Sequence, residues 1–131
     1  MNIYLSAQWA RRAEIEGYAL ILRGRDHDVV SRWHHGEPMG NEATATPADW
    51  REWALADLQD VKKCGMFVTF TEPKGTMSRG GRHVEWGYAI AKGAELVVVG
   101  PLESQFYTLF TARYASPAQW LDDDAPRRAA R

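Results

Sequence analysis

Two continuous apolar runs, Met66 to Thr71 and Leu96 to Val99, are separated by a glycine-rich stretch and a helical pattern closed by Gly93. Both runs are rich in β-formers and do not alternate, which is the pattern of a strand covered on its two faces. A β-loop-α-β order is the building unit of a parallel sheet, so the rest of the chain must supply further strands beside this pair and helices over it.

The flanking segments fit that demand. Asn2 to Ser6 reads as a short apolar strand, and Trp9 to about Gly24 as a helix with apolar or small residues at Trp9, Ala10, Ala13, Gly17, Leu20 and Ile21. His27 to Trp33 is β-rich, and His34 to Ala45 reads as a loop. Thr46-Pro47 opens a helix as N-cap and first helical residue, with Asp49 at the third position, and the helix runs to about Lys63 before Gly65. Beyond Gly100-Pro101 the pattern gives a helical stretch near Ser104 to Leu109, an edge strand around Thr111 to Ala115 and a last helix opened by Ser116-Pro117. The expected fold is a single-domain α/β, flavodoxin-like or Rossmann-like, three-layer α/β/α arrangement with a parallel sheet of four to five strands over residues 1–121. A charged tail, expected to be frayed and flexible, follows from Asp122 to Arg131.

At 131 residues such a domain can bury a real core. Its 16 basic and 17 acidic residues leave a net charge of −1, which removes the bulk electrostatic case for binding nucleic-acid polymer or a membrane surface. Any anion site must be local. The single cysteine, Cys64, cannot form an internal disulfide and reads as a small buried apolar residue; the start lacks a long apolar run, and no segment approaches the roughly 18 apolar residues of a membrane span. These features predict a cytoplasmic protein.

In open parallel sheets ligands bind beyond the carboxyl ends of the strands, where the strand order reverses. The segment Ser78-Arg79-Gly80-Gly81-Arg82-His83-Val84-Glu85 falls there, between the third strand and its helix. Glycines let a backbone approach a ligand closely, and Arg79, Arg82 and the N–H groups of a helix start favour an anion such as a nucleotide or sugar phosphate. Glu85, expected in the first turn of a helix from about Arg82 to Lys92, adds a carboxylate able to attack or stabilise an electron-poor sugar carbon. On the helix from Pro47 to Lys63, the positions Trp50, Ala54, Leu58 and Val61 predict the sheet-facing stripe. Asp57 lies on that stripe, either capping or pairing at its edge or reaching into the pocket, and Asp60 is expected at the surface.

Ile3-Tyr4-Leu5-Ser6, the run Asp57-Leu58 with Val61 and then Phe67-Val68, and Glu85-Trp86-Gly87-Tyr88-Ala89 together resemble the nucleoside 2-deoxyribosyltransferase family, whose relatives include nucleoside 5′-monophosphate N-glycosidases and small phage proteins. The similarity covers about Asn2 to Gly100. It implies a retaining mechanism in which Glu85 is the nucleophile, kept ionised by the helix start, and Asp57 the proton donor or hydrogen-bond partner of the leaving base. It also implies a substrate contact at Ser6 after the first strand, while Gln8 and Arg12 either serve an anion or are a helix start and a solvated face; relatives carry a phosphate-binding serine shortly before the nucleophile, for which Ser78 is the nearest candidate. Here the loop is longer, and Ser78 stands seven residues before Glu85, so Arg79, Gly80, Gly81 and Arg82 are expected to take over phosphate binding. Relatives assemble as dimers or larger, which predicts a homo-oligomer in which Phe106, Tyr107 and Tyr114 act in trans.

No cofactor or metal is expected. His34 and His35 are adjacent and have no carboxylate at ligand spacing, so they do not read as a metal site. His83, two before Glu85, either contacts the ligand or faces solvent. Trp50 and Trp53 suit core or interface roles, whereas Trp9 and Trp33 lie near strand ends where a base can stack. The alternative to an enzyme is a nucleotide-binding sensor that keeps the fold and the pocket without turnover.

Overall fold

In the computed structural model, residues 1–35 and 42–129 are described. Five strands form one wholly parallel sheet: β1 (Asn2–Ser6), β2 (Asp28–Val29), β3 (Met66–Phe70), β4 (Glu95–Val99) and β5 (Ala112–Tyr114), in the order β2-β1-β3-β4-β5. Three α-helices connect the first four strands, α1 (Arg12–Gly24), α2 (Pro47–Lys63) and α3 (Gly81–Lys92); a 3-10 turn, Gln105–Thr108, lies between β4 and β5, and α4 (Pro117–Ala129) follows β5. This is the expected flavodoxin-like α/β/α sandwich, and its order reverses between β1 and β3.

Alternation along the strands sends side chains to two cores. Ile3, Leu5, Val68, Phe70, Val97 and Val99 pack with Ile15, Ala19 and Leu22 of α1 and with Trp120 and Leu121 of α4. Tyr4, Phe67 and Val98 pack on the other side with Val61 of α2 and with Trp86 and Ala89 of α3. Cys64 is buried in this second core, as its composition class suggested.

The signals at α2 and α3 are read by the backbone as written. Thr46 and Asp49 form a reciprocal capping box, with Asp49 N–H donating to Thr46 Oγ1 at 3.2 Å and Thr46 N–H to the Asp49 carboxylate at 2.9 Å, behind Pro47. Such a cap is worth about 1 kcal/mol. Gly80, at φ +91°, turns the loop into α3, and Gly93 closes the helix. Gly100 ends β4 at φ +122°, and a Cβ there would lie 2.7 Å from Thr71 Oγ1, so only glycine allows the ends of β3 and β4 to come this close.

Four expectations are corrected. In α1 the buried stripe is Ile15, Ala19 and Leu22, while Trp9, Leu20 and Ile21 are exposed. The α-helix starts only at Arg12, after a separate 3-10 turn over Trp9–Arg11, and that break resets the phase of the pattern. In α2 only Asp60 and Val61 are buried, and Trp50 is 53% exposed. β2 spans two residues rather than the β-rich run to Trp33, which leaves too little sheet beneath α2 for its whole stripe to cover. Finally, α4 carries on through Asp122 to Ala129, and Asp124 is buried against Arg25 and His27. The loop expected from His34 to Ala45 contains a 3-10 turn, Glu42–Thr44, and its positions 36–41 lie outside the described residues.

Candidate active site

The last residues of β1 and the second turn of α3 meet over the reversal point. Tyr4 and Ser6, two apart in a strand, point to the same face of the sheet. The Tyr4 hydroxyl donates to Glu85 Oε2 at 2.6 Å and the Ser6 hydroxyl to Glu85 Oε1 at 2.9 Å. Each carboxylate oxygen therefore has one fixed donor, which sets the plane of the group. Ser6 is fully buried, so its hydroxyl is spent on Glu85. On the neighbouring strand Thr69 is in register with Ser6, is equally buried, and its hydroxyl makes no hydrogen bond among the described residues.

Glu85 is not in the first turn, because α3 begins at Gly81. The helix field has faded by the second turn, and burial dominates. It pushes the Glu85 carboxyl up to about 7. The hydrogen bonds from Tyr4 and Ser6 and the charge of Arg82 oppose the rise, whereas the charge of Asp57 adds to it. The expectation of a carboxylate kept ionised by the helix start is thus reversed. Burial raises the Tyr4 hydroxyl as well, so it remains a neutral donor.

Asp57 is partly buried and pushed up to about 6, first by burial and then by the charge of Asp60, with Arg32 acting the other way. Asp60 corrects the sequence expectation: it is 2% exposed and accepts from Arg32 N–H at 3.2 Å and from Arg32 Nε at 3.0 Å. Two of three carboxylates in this region thus titrate near neutrality, and the third is tied to a guanidinium. That arrangement suits proton transfer beside a positioned carboxylate.

The basic loop is organised differently from the expected anion cradle. Arg82 is buried and forms a two-pronged pair with Glu103, both contacts 2.8 Å, so it faces a carboxylate of its own chain. Glu103 also accepts from Glu72 N–H at 2.9 Å. Although buried, its carboxyl is held below the ordinary range by Arg82 and that N–H. The His83 ring pairs through Nδ1 with the Tyr107 hydroxyl at 2.6 Å. Ser78 Oγ accepts from Gly80 N–H at 3.1 Å. Gly81 opens α3, which has no side-chain cap, and Arg79 is exposed. Gln8 donates to the Met77 carbonyl at 3.3 Å, fastening the loop after β1 to the loop before α3, while Arg12 lies over the Trp9 ring. The structure thus brings Ser6, Glu85 and, through its charge, Asp57 together, and turns Arg82 inward. Beyond the ends of β3 and β4, an open cleft runs between Lys74 and the segment Ser104, Gln105 and Phe106.

His34 and His35 do find a carboxylate, Glu16, from the middle of α1. His34 Nδ1 is 3.0 Å and His35 Nε2 3.8 Å from Glu16 Oε1. Yet Arg23 occupies the other Glu16 oxygen at 3.0 Å and contacts His35 Nε2 at 2.9 Å, and both His34 nitrogens have partners. The cluster is a closed polar network that already contains its cation. Among the described residues no helix is long and apolar enough to cross a membrane.

Sequence reasoning missed Tyr4, Thr69 and Glu103 as parts of this region. The strand period carried a signal for Tyr4, since it shares a face with Ser6. Glu103 had none, because its partner Arg82 is 21 residues away on another element.

No protein-family model matches the chain, and no curated protein matches it. Solved structures do. A CMP N-glycosidase from Clostridium botulinum, BcmB, superposes with a TM-score of 0.59 at 20% identity, covering 97% of this chain and 99% of that one. A conserved protein from Enterococcus faecalis V583 superposes with a TM-score of 0.66 at 15% identity, covering 97% and 98%. The likeness spans both chains almost end to end, and it supports the family resemblance at the level of the fold.

Proposed function

We propose that this protein cleaves the N-glycosidic bond of a nucleoside or nucleoside 5′-monophosphate, with Glu85 as the nucleophile. The observation that carries the reading is the Glu85 carboxylate held on both oxygens by Tyr4 and Ser6 at the reversal point of the sheet. The Clostridium botulinum structure of like fold is that of a CMP N-glycosidase, which supports the reaction class.

In the proposed reaction an ionised Glu85 attacks the anomeric carbon as the bond to the base breaks, and the leaving base takes its electron pair together with a proton from Asp57. The glycosyl ester is then resolved by water, whose proton returns to Asp57, or by a second base. Both carboxyls titrate close together, so the pair carries one proton in the working range. In the empty site that proton favours Glu85, the higher of the two. An electron-poor sugar carbon beside Glu85 favours its ionised form and leaves the proton on Asp57. Activity is therefore expected to fall below about 6, where both carboxyls are protonated, and above about 7, where both are ionised.

With Arg82 committed to Glu103, recognition of a 5′-phosphate rests on exposed Arg79 and on the uncapped start of α3. The exposed apolar groups Trp50 and Leu55 on α2 and Phe106 after β4 support assembly as a homo-oligomer.

The test is chromatography of free base after incubation with nucleosides and their 5′-monophosphates. Wild type releases base, Glu85→Gln loses about 10³-fold or more and Asp57→Asn about 10–100-fold. Equal release by wild type and Glu85→Gln overturns the mechanism. Binding without release assigns the protein to the non-catalytic, nucleotide-sensing class. Adding an acceptor base and looking for a new nucleoside separates transfer from hydrolysis.

A further inference from the structure

Strand β1 has two edges. Along one it pairs with β3 over four positions, Ile3 to Ser6. Along the other, β2 supplies only Asp28 and Val29, and the last bond of strand type runs from Val30 N–H to the Ile3 carbonyl at 2.8 Å. The peptide groups of Leu5 on that edge are therefore without a partner strand. Two side chains take its place. Leu5 N–H donates to Ser31 Oγ at 3.1 Å, and Trp33 Nε1–H donates to the Leu5 carbonyl at 2.7 Å.

Behind Ser31 the arrangement is fixed in turn. Ser31 and His34 are fully buried, and Ser31 Oγ lies 2.6 Å from His34 Nε2. Because Leu5 N–H points at the serine oxygen, the hydroxyl hydrogen is free to go to His34 Nε2. His34 then carries its own proton on Nδ1, aimed at Glu16 Oε1 at 3.0 Å. Burial holds the His34 ring below its ordinary pKa and so favours this neutral form. The hydrogen bonds form one path from α1 to the centre of β1.

Leu5 is the residue between Tyr4 and Ser6, the two donors on Glu85. A rotation of its peptide moves both hydroxyls at once, and a buried peptide with an unmet donor or acceptor has reason to rotate. We propose that Ser31 and Trp33, with His34 fixing Ser31, are positioning residues that clamp the Leu5 peptide and thereby aim the Tyr4 and Ser6 hydroxyls at the two oxygens of Glu85. The catalytic consequence rests on the reading of Glu85 as the reacting carboxylate, whereas the clamp itself can be tested without it.

The experiment compares wild type with Ser31→Ala and Trp33→Phe, using Ser31→Thr as the variant that keeps a hydroxyl and Val97→Ala as a control that weakens the apolar core two strands away from Leu5. The Glu85 carboxyl is titrated by carbon-13 NMR in protein labelled at glutamate, and kcat and KM are measured for base release. Among the described residues the titratable or charged groups around Glu85 are Tyr4 from β1, Asp57 from α2, Arg82 on α3 and Tyr107 after β4, and none is altered in these variants. Loosening the two donors removes part of what opposes burial, so Ser31→Ala and Trp33→Phe raise the Glu85 midpoint by about 0.5 unit or more. They lower kcat about 5–10-fold with KM little changed. Ser31→Thr restores the midpoint, and Val97→Ala lowers the melting temperature without moving it. A midpoint and kcat that stay at the wild-type values in folded Trp33→Phe overturn the clamp, whether or not Ser31→Ala folds. If wild type releases no base from any substrate, the proposed reaction fails, and the NMR midpoints still decide the clamp.

Discussion

The face of the sheet under α1 and α4 and the face under α2 and α3 are built from alternate residues of the same strands, yet they bury different chemistry. Beneath α1 and α4 the strands contribute Ile3, Leu5, Val68, Phe70, Val97 and Val99, an aliphatic and aromatic filling closed by Trp120. Beneath α2 and α3 the same strands contribute Tyr4, Ser6, Phe67 and Thr69, with Asp57, Asp60 and Glu85 set among or beside them. The first face is apolar between its helices, with Asp124 and His27 paired at its margin; the second holds acids whose burial is unfavourable, and burial raises the pKa of two of them, Asp57 and Glu85. The division teaches that the reactive groups depend on a scaffold stabilised mainly from the far side of the same sheet.

Three measurements can break or sharpen that contrast. The largest effect is expected from Trp120→Ala, which removes a buried indole from the apolar face. It should cost about 3–5 kcal/mol in denaturant unfolding while base release per folded molecule stays unchanged. A large loss of activity in the folded fraction would mean that the faces are coupled. Next is Glu85→Gln. A carboxyl with a folded pKa of about 7, against 4.5 unfolded, holds its proton more tightly in the folded state. Stability therefore falls as pH rises from about 4.5 to about 7, and the substitution removes that cost. At pH 8 the variant should be more stable than wild type by about 1–3 kcal/mol, and below pH 4 the gain should vanish. Equal stability at pH 8 would show that Glu85 is not held at a loss. The smallest effect is expected from Trp50→Glu on the exposed part of α2. It should change unfolding stability of the single chain by less than about 0.5 kcal/mol and should split any oligomer that uses this face, as read by light scattering.

Much of this division was visible in the chain, and the exceptions share a physical cause. The strands Met66 to Phe70 and Glu95 to Val99, the Thr46-Pro47 start and the Gly80 and Gly93 boundaries depend on local backbone chemistry, which a sequence displays directly. Helix phase is another matter. In α1 the set Leu20 and Ile21 competes with Ile15, Ala19 and Leu22, and only packing chooses between them. Asp57 and Asp60, three apart, are neighbours on one helical face, so placing one inward and the other outward went against helix geometry. What holds Asp60 inside is Arg32, 28 residues earlier and on no regular element. In the candidate site, Glu85 and Ser6 were legible as residues but their contact was not, because it spans 79 positions. Arg82 looked like a ligand's arginine because its true partner, Glu103, lies on the far side of β4 in sequence.

That partner has a consequence for how such a protein changes over time. Glu103 receives Glu72 N–H where the loop leaves β3 and Arg82 where it enters α3, so one carboxylate staples the two ends of everything between. With its ends pinned, a surface loop can lengthen or exchange residues at little entropic cost, about 0.6 kcal/mol for a doubling of length. The stretch holding Lys74, Met77, Ser78 and Arg79 is in effect an interchangeable cassette, able to exchange residues, and with them what it binds, while the walls around Glu85 stay where they are.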